Sequence, residues 1–188
     1  MKTRPRRNIV DLKLFRLSKD EFFADHPQSP LTPEQKRNFH GLAYFPENPD
    51  LRLEVPVEEF QDKTKIQMQT STGDIQNYRR YGKFRFMANG EQAELTIYVN
   101  DQGFFLPFVD SLAGSETYPA GRYLEPEALV NGKFLIDFNL AYNPYCAYNN
   151  HWSCPLTPFE NRLKVPVQAG EKIPSVAWAQ KAFHPAED

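Results

Sequence analysis

The chain is poor in sulfur, with two Cys and three Met in 188 residues. A chain of this length buries a core without staples, so disulfides are not needed for folding. No run of about 18 apolar residues occurs, which excludes a membrane-spanning helix. The basic start, MKTRPRRNIVDLKLFRL, has no apolar block behind it and does not read as a secretory signal. Two cysteines without export features point to free thiols in a reducing cytoplasm, where a disulfide is disfavoured. Net charge is only −2, so no field draws in nucleic acid, and neither nucleic acid nor membrane is expected as a partner. Phosphate loop, dinucleotide fingerprint and Gly-x-Ser-x-Gly elbow are all missing, which argues against nucleotide-dependent and ordinary serine-hydrolase chemistry. No cofactor follows from any motif.

What the chain has instead is rings, with fifteen Phe and nine Tyr. Sixteen Pro and nine Gly predict many short elements joined by turns. Lys2, Arg4, Arg6 and Arg7 read as a solvated basic leader over residues 1–15. Ser18 to Phe23 predicts a short capped helix ending before Pro27. Thr32-Pro33-Glu34-Gln35 predicts a second, with cap, first-turn proline and capping-box glutamine in order, running to about His40. From Leu51 apolar residues alternate, as in a strand: Leu51, Leu53, Val55; Ile66, Met68; Phe84, Phe86; Ala93, Leu95, Ile97, Val99. Asn89-Gly90 between two such runs predicts a tight hairpin. Further strands are expected over 75–81, at Phe104–Phe108, from Tyr123, over 133–139 and over 162–167. The sum is a mainly β, antiparallel, partly open barrel or sandwich of about eight short strands after two short helices. It is expected as one domain over 16–172, with a tail over 173–188.

Residues 137–161, DFNLAYNPYCAYNNHWSCPLTPFEN, combine five Asn, two Cys, one His and two acids with closely spaced rings. Alternation puts Asp137 and Asn139 on one strand face, and Arg122 is a natural partner for Asp137 if their strands pair. Cys146, His151 and Cys154 offer a metal set at unusual spacing, or a nucleophilic Cys146 oriented by His151 and Asp137, or simply packed thiols. Asn139, Asn143 and Asn161 either shape turns or orient a polar ligand.

The phrases GSETYPAGRYL (114–124), DFNLAYNPYCAYNNHWSCPLTPFENRL (137–163) and AGEK (169–172) resemble the signature of an uncharacterised prokaryotic family, domain of unknown function 1684. FHGLAYFPENP and TSTGDIQNYRRYGKF are also similar, so the resemblance covers about residues 16–172. It implies a β-rich single domain and brings no activity, cofactor or catalytic residue.

The residues support a small-molecule site, binding or catalytic. Arg122 would hold an anionic group, Asp137 and Glu160 would act as acid and base, and Asn139, Asn143 and Asn161 would orient the ligand. Tyr142, Tyr145, Tyr148 and Trp152 would wall the pocket, with Tyr123 also contacting the ligand. The alternative is a protein-interaction module presenting segment 142–162.

Overall fold

The computed structural model describes residues 11–174, so residues 1–10 of the basic leader and most of the expected tail lie outside the described residues, while 12–15, expected as leader, are helical. The chain divides into two compact units, one ending at Gly41 and one starting at Leu42.

The first unit is helical. Helix α1 (Leu12–Asp25) starts six residues before the expected Ser18, because the Asp11 carboxylate accepts from the Lys13 and Leu14 amides. An acid satisfying amides that a first turn leaves orphaned is an ordinary helix start. Helix α2 (Pro33–Arg37) opens with the expected capping box between Thr32 and Gln35. It stops at Asn38, short of His40.

The second unit is antiparallel β in two sheets, as the alternating runs predict. Strands β1 (Arg52–Pro56), β9 (Lys133–Asp137) and β8 (Glu127–Ala128) form one, in the order β1-β9-β8. The other has β2 (Glu58–Glu59), β4 (Ile75–Ala88), β5 (Glu91–Asn100), β6 (Gly103–Phe108) and β7 (Arg122–Leu124) in that order, with β3 (Lys65–Gln69) also paired to β4. Neither sheet closes into a barrel. Asn89 (φ 51°) and Gly90 (φ 80°) make the β4–β5 turn with both central residues left-handed, the geometry that matches strand twist.

Two expected strands merge and one disappears. Residues 75–81 and 83–88 form the single strand β4, bent by an irregularity between Arg80 and Gly82. Gly82 is required there: a Cβ would lie 2.7 Å from the Glu58 carbonyl of β2. The run 162–167 is not a strand. It docks by separate bonds, Leu163 to the Val109 carbonyl and Ser111 to the Val165 carbonyl, and Pro166 has no amide to continue a ladder.

Both sheets contribute to one core, including Phe84, Phe86, Leu95, Ile97, Leu106 and Phe108 from the larger and Phe134 and Ile136 from the smaller. The larger sheet also buries rings on its far side. Met68, Tyr78 and Tyr98 cluster there with Phe105 packed against them. Thr96 and Tyr98 read as outward positions, yet both are buried, where Asn161 and Glu160 bond to them.

Candidate functional site

Arg122 is a structural hub. It is 1% exposed and spends all four terminal N–H groups inside the protein. Nη1 donates to the Ala169 (2.5 Å) and Glu171 (2.9 Å) carbonyls. Nη2 donates to the Val167 carbonyl (2.8 Å) and to Asp110 Oδ2 (3.1 Å). Asp110 also accepts from the Thr117 hydroxyl and the Val167 amide. Desolvation depresses the guanidinium to about 10, against the raising effect of Asp110 and Glu171. The expected Arg122–Asp137 pair is therefore replaced: β7 pairs with β6 and β9 with β1, so the two side chains belong to different sheets. No terminal donor of Arg122 is left for an anionic ligand.

Asp137 pairs instead with Arg52, Nε to Oδ2 at 2.6 Å. Its other oxygen accepts from the Asn139 amide and side chain. Asn139 also clasps the Asn48 backbone, accepting from its N–H at 2.7 Å and donating to its carbonyl at 2.9 Å. Asn161, fully buried, substitutes for a missing strand in the same way. Its Oδ1 accepts from the Thr96 amide, and its Nδ2 donates to the Thr96 and Pro107 carbonyls. These asparagines satisfy backbone groups where no strand reaches, a demand that every buried peptide unit makes. Glu160 is gripped by Arg80 through both oxygens and receives the Tyr98 hydroxyl. The two acids thus sit in separate ion pairs.

Asn143, Tyr148 and Glu171 form a second buried group. Glu171 Oε2 accepts from the Asn143 amide at 2.8 Å and the Tyr148 hydroxyl at 3.1 Å. Burial and the Glu171 carboxylate push the Tyr148 phenol well up. Gly170 makes this approach possible: at φ +74°, a Cβ would lie 2.5 Å from the Ala141 carbonyl.

Cys146 and Cys154 come together, but His151 stays exposed on the intervening loop. Among the described residues no three His, Cys, Asp or Glu side chains converge as metal ligands.

A feature with room for a ligand lies on the far face of the larger sheet. A cleft of about 330 Å³ is lined by Gln76, Tyr78, Asn100, Phe105, Tyr123 and Tyr142, with Glu125 and Pro155 at its sides. Tyr123 donates its hydroxyl to the Pro155 carbonyl, and Tyr142 donates to Glu125. Ring stacking fixes the walls: Tyr78 lies over Phe105 at 5.2 Å, and Phe105 meets Tyr123 edge-on at 4.8 Å. Burial drives both the Tyr123 and Tyr142 phenols up, and Glu125 adds to the shift of Tyr142. Of the ligand residues read from sequence, Tyr123 and Tyr142 line this cleft, while Arg122, Asp137, Asn139, Asn143, Tyr148, Glu160 and Asn161 lie elsewhere. Gln76, Tyr78, Asn100, Phe105 and Glu125 escaped sequence reading. Rings at the nominally polar positions of β4, β5 and β6 were their available signal.

A family model described as "Protein of unknown function (DUF1684)" matches residues 37–172. The chain belongs to the DUF1684 family. The DUF1684 chain is also similar to the solution NMR structure of an uncharacterised protein from gene locus rrnAC0354 of Haloarcula marismortui, at 37% identity. That likeness covers 86% of this chain and 91% of the other, with a TM-score of 0.64. No curated protein matches the DUF1684 chain. No described helix is long and apolar enough to cross a membrane.

Proposed function

We propose that the cleft between β4, β6, β7 and Tyr142 binds a small organic molecule, neutral or cationic. The observation that carries this reading is the composition of its wall. Five rings line it together with the amide side chains of Gln76, Asn100 and Gln102, with Glu125 the charged lining group among the described residues. Pockets of about 300–1,000 Å³ with apolar walls and a few placed polar groups are the usual form of a ligand site. Rings offer stacking surface to a sugar-like or methylated face, and a carboxylate accepts from hydroxyl or ammonium donors. The anionic preference expected for Arg122 has no support from this lining. The site binds; nothing in it assigns a reaction.

Saturation-transfer NMR on the full chain, with monosaccharides and methylated ammonium ions as probes, tests the proposal. Transfer that Tyr142→Ala abolishes in a folded variant is expected. Transfer that is absent for both probe classes, or indifferent to that substitution, would sink it.

A second reading, a protein-interaction face on segment 142–162, has one observation in its favour. Phe159 is 88% exposed beside Leu156 at 39%. It predicts that crosslinked partners recovered with the wild-type chain disappear with Phe159→Ser; unchanged recovery counts against it.

A further inference from the structure

Cys146 and Cys154 are both free thiols and both buried. Cys146 sits in a 3₁₀ turn, Tyr145–Ala147, and the chain returns to it after the loop carrying His151. The Cys146 amide donates to Cys154 Sγ at 3.3 Å, and the two thiols hydrogen-bond to each other. The Ser71 hydroxyl donates to the Trp152 carbonyl at 2.9 Å, on the loop between the two cysteines. Ser71 is held in place twice, its amide donating to the Cys154 carbonyl at 2.8 Å and its Oγ accepting from the Cys154 amide at 3.1 Å.

The arrangement makes the two sulfurs unequal. The adjoining Cys154 thiol, against burial, holds Cys146 down to about 7, whereas its neighbour and burial push Cys154 far up. Two adjacent thiols in unequal surroundings can serve as an attacking and a resolving thiol. The 3.3 Å approach of Cys154 Sγ to the Cys146 backbone nitrogen makes the two side chains direct neighbours, as a disulfide requires.

We infer that Cys146 and Cys154 form a redox-active dithiol, a modification site that closes to an intrachain disulfide by exchange with a low-molecular-weight disulfide. The Cys146 thiolate attacks one sulfur of the reagent, forming a mixed disulfide and releasing one thiolate. Cys154 then gives up its proton and attacks the Cys146 sulfur, expelling the second thiolate. The protein loses two electrons and two protons, and the reagent becomes two thiols. Exposures of 7 and 8% for Cys146 and Cys154 restrict the step to small reagents. In a reducing compartment the bond is transient, the usual form of cytosolic redox sensing. Its closure would bear on the cleft, since Pro155, next to Cys154, lines it and accepts from Tyr123.

The test is incubation of the full chain with oxidised glutathione, then denaturation, maleimide labelling and intact mass. The expected product is a monomer with neither cysteine labelled, restored to two labels by dithiothreitol. Cys154→Ser is expected to stop at a glutathione adduct on Cys146, formed several-fold faster than the adduct on Cys154 in Cys146→Ser. Two labels retained after prolonged incubation overturn the inference, as do intermolecular dimers or equal adduct rates in the two variants. The wild-type labelling stands by itself should either variant fail to fold, which circular dichroism reports.

Discussion

Replacing Arg122 by Met tests whether this guanidinium is architecture or ligand anchor. The substitution keeps an unbranched side chain but deletes every donor and the guanidinium that lies over the Phe108 and Phe45 rings. Three carbonyls, those of Val167, Ala169 and Glu171, lose a bond, and Asp110 loses its counter-charge. Breaking a buried pair from one side costs about 3–5 kcal/mol. Each carbonyl adds up to about 1 kcal/mol. Asp110 keeps the Thr117 hydroxyl and the Val167 amide, which holds the sum near the lower end, about 5 kcal/mol. Against a total stability of about 5–15 kcal/mol, that is a large fraction. Arg122→Lys restores the charge but not the fork, and should recover only part of the loss. Urea unfolding followed by circular dichroism measures both, with Asp110→Asn and the double variant completing a cycle. A loss below about 1 kcal/mol for Arg122→Met, or additive single variants, would refute the reasoning and return Arg122 to the list of ligand-facing groups.

Asn161→Leu should cost about 2–4 kcal/mol in the same urea assay, since it strands the Thr96 amide and two carbonyls in the core. Gly170→Ala should be destabilising by more than about 1 kcal/mol in a thermal melt, because a Cβ meets the Ala141 and Phe138 carbonyls at 2.5 and 2.7 Å. Iodoacetamide should modify Cys146 with a rate that rises through pH 7 rather than near the ordinary thiol value of about 8.5. A profile centred at the ordinary value would contradict the lowering of that sulfur by Cys154. Stability has the matching sign. Between pH 7 and about 9 the unfolded chain holds a proton that folded Cys146 has lost, so unfolding free energy gains a rising contribution over that window. Above 9.0 the raised Cys154 reverses the sign, because only the unfolded chain then releases that proton, and the buried Tyr98, Tyr123 and Tyr142 reinforce the fall. Urea midpoints flat from pH 6 to 11 would count against these assignments.

Local signals carried most of the architecture. Thr32 and Gln35 announce α2, Asn89-Gly90 announces its hairpin, and alternation announces β1, β3, β5 and β9. What alternation cannot convey is which strand lies beside which. Arg122 and Asp137 were matched by proximity in sequence, whereas the smaller sheet takes β9 away to β1. Tyr78, Tyr98 and Phe105 break the polar alternation of their strands, and that violation marked a face covered from both sides. Residues 137–161 are dense in amides because the segment crosses a sheet without being a strand. Asn139 and Asn161 supply by side chain the bonds that a ladder would supply by backbone, so the chemistry read as ligand recognition is mostly recognition of the protein's own main chain. Tyr123 and Tyr142 are the exceptions.

The bend between Arg80 and Gly82 has a consequence for colloidal behaviour. A straight strand of fourteen residues with one side open would be a long template for pairing with another molecule. The irregularity instead splits that side between β3, at 75–79, and β2, at 82–83. The outermost strands of the described sheets are then β1 and β3 with five residues each, β7 with three, and β2 and β8 with two. β1 ends in Pro56, and β3 points Lys65, Gln67 and Gln69 outward. Short, charged or proline-ended borders are poor seeds for strand addition, so the bend removes from this ring-rich chain the long border that an uninterrupted β4 would offer to a second molecule.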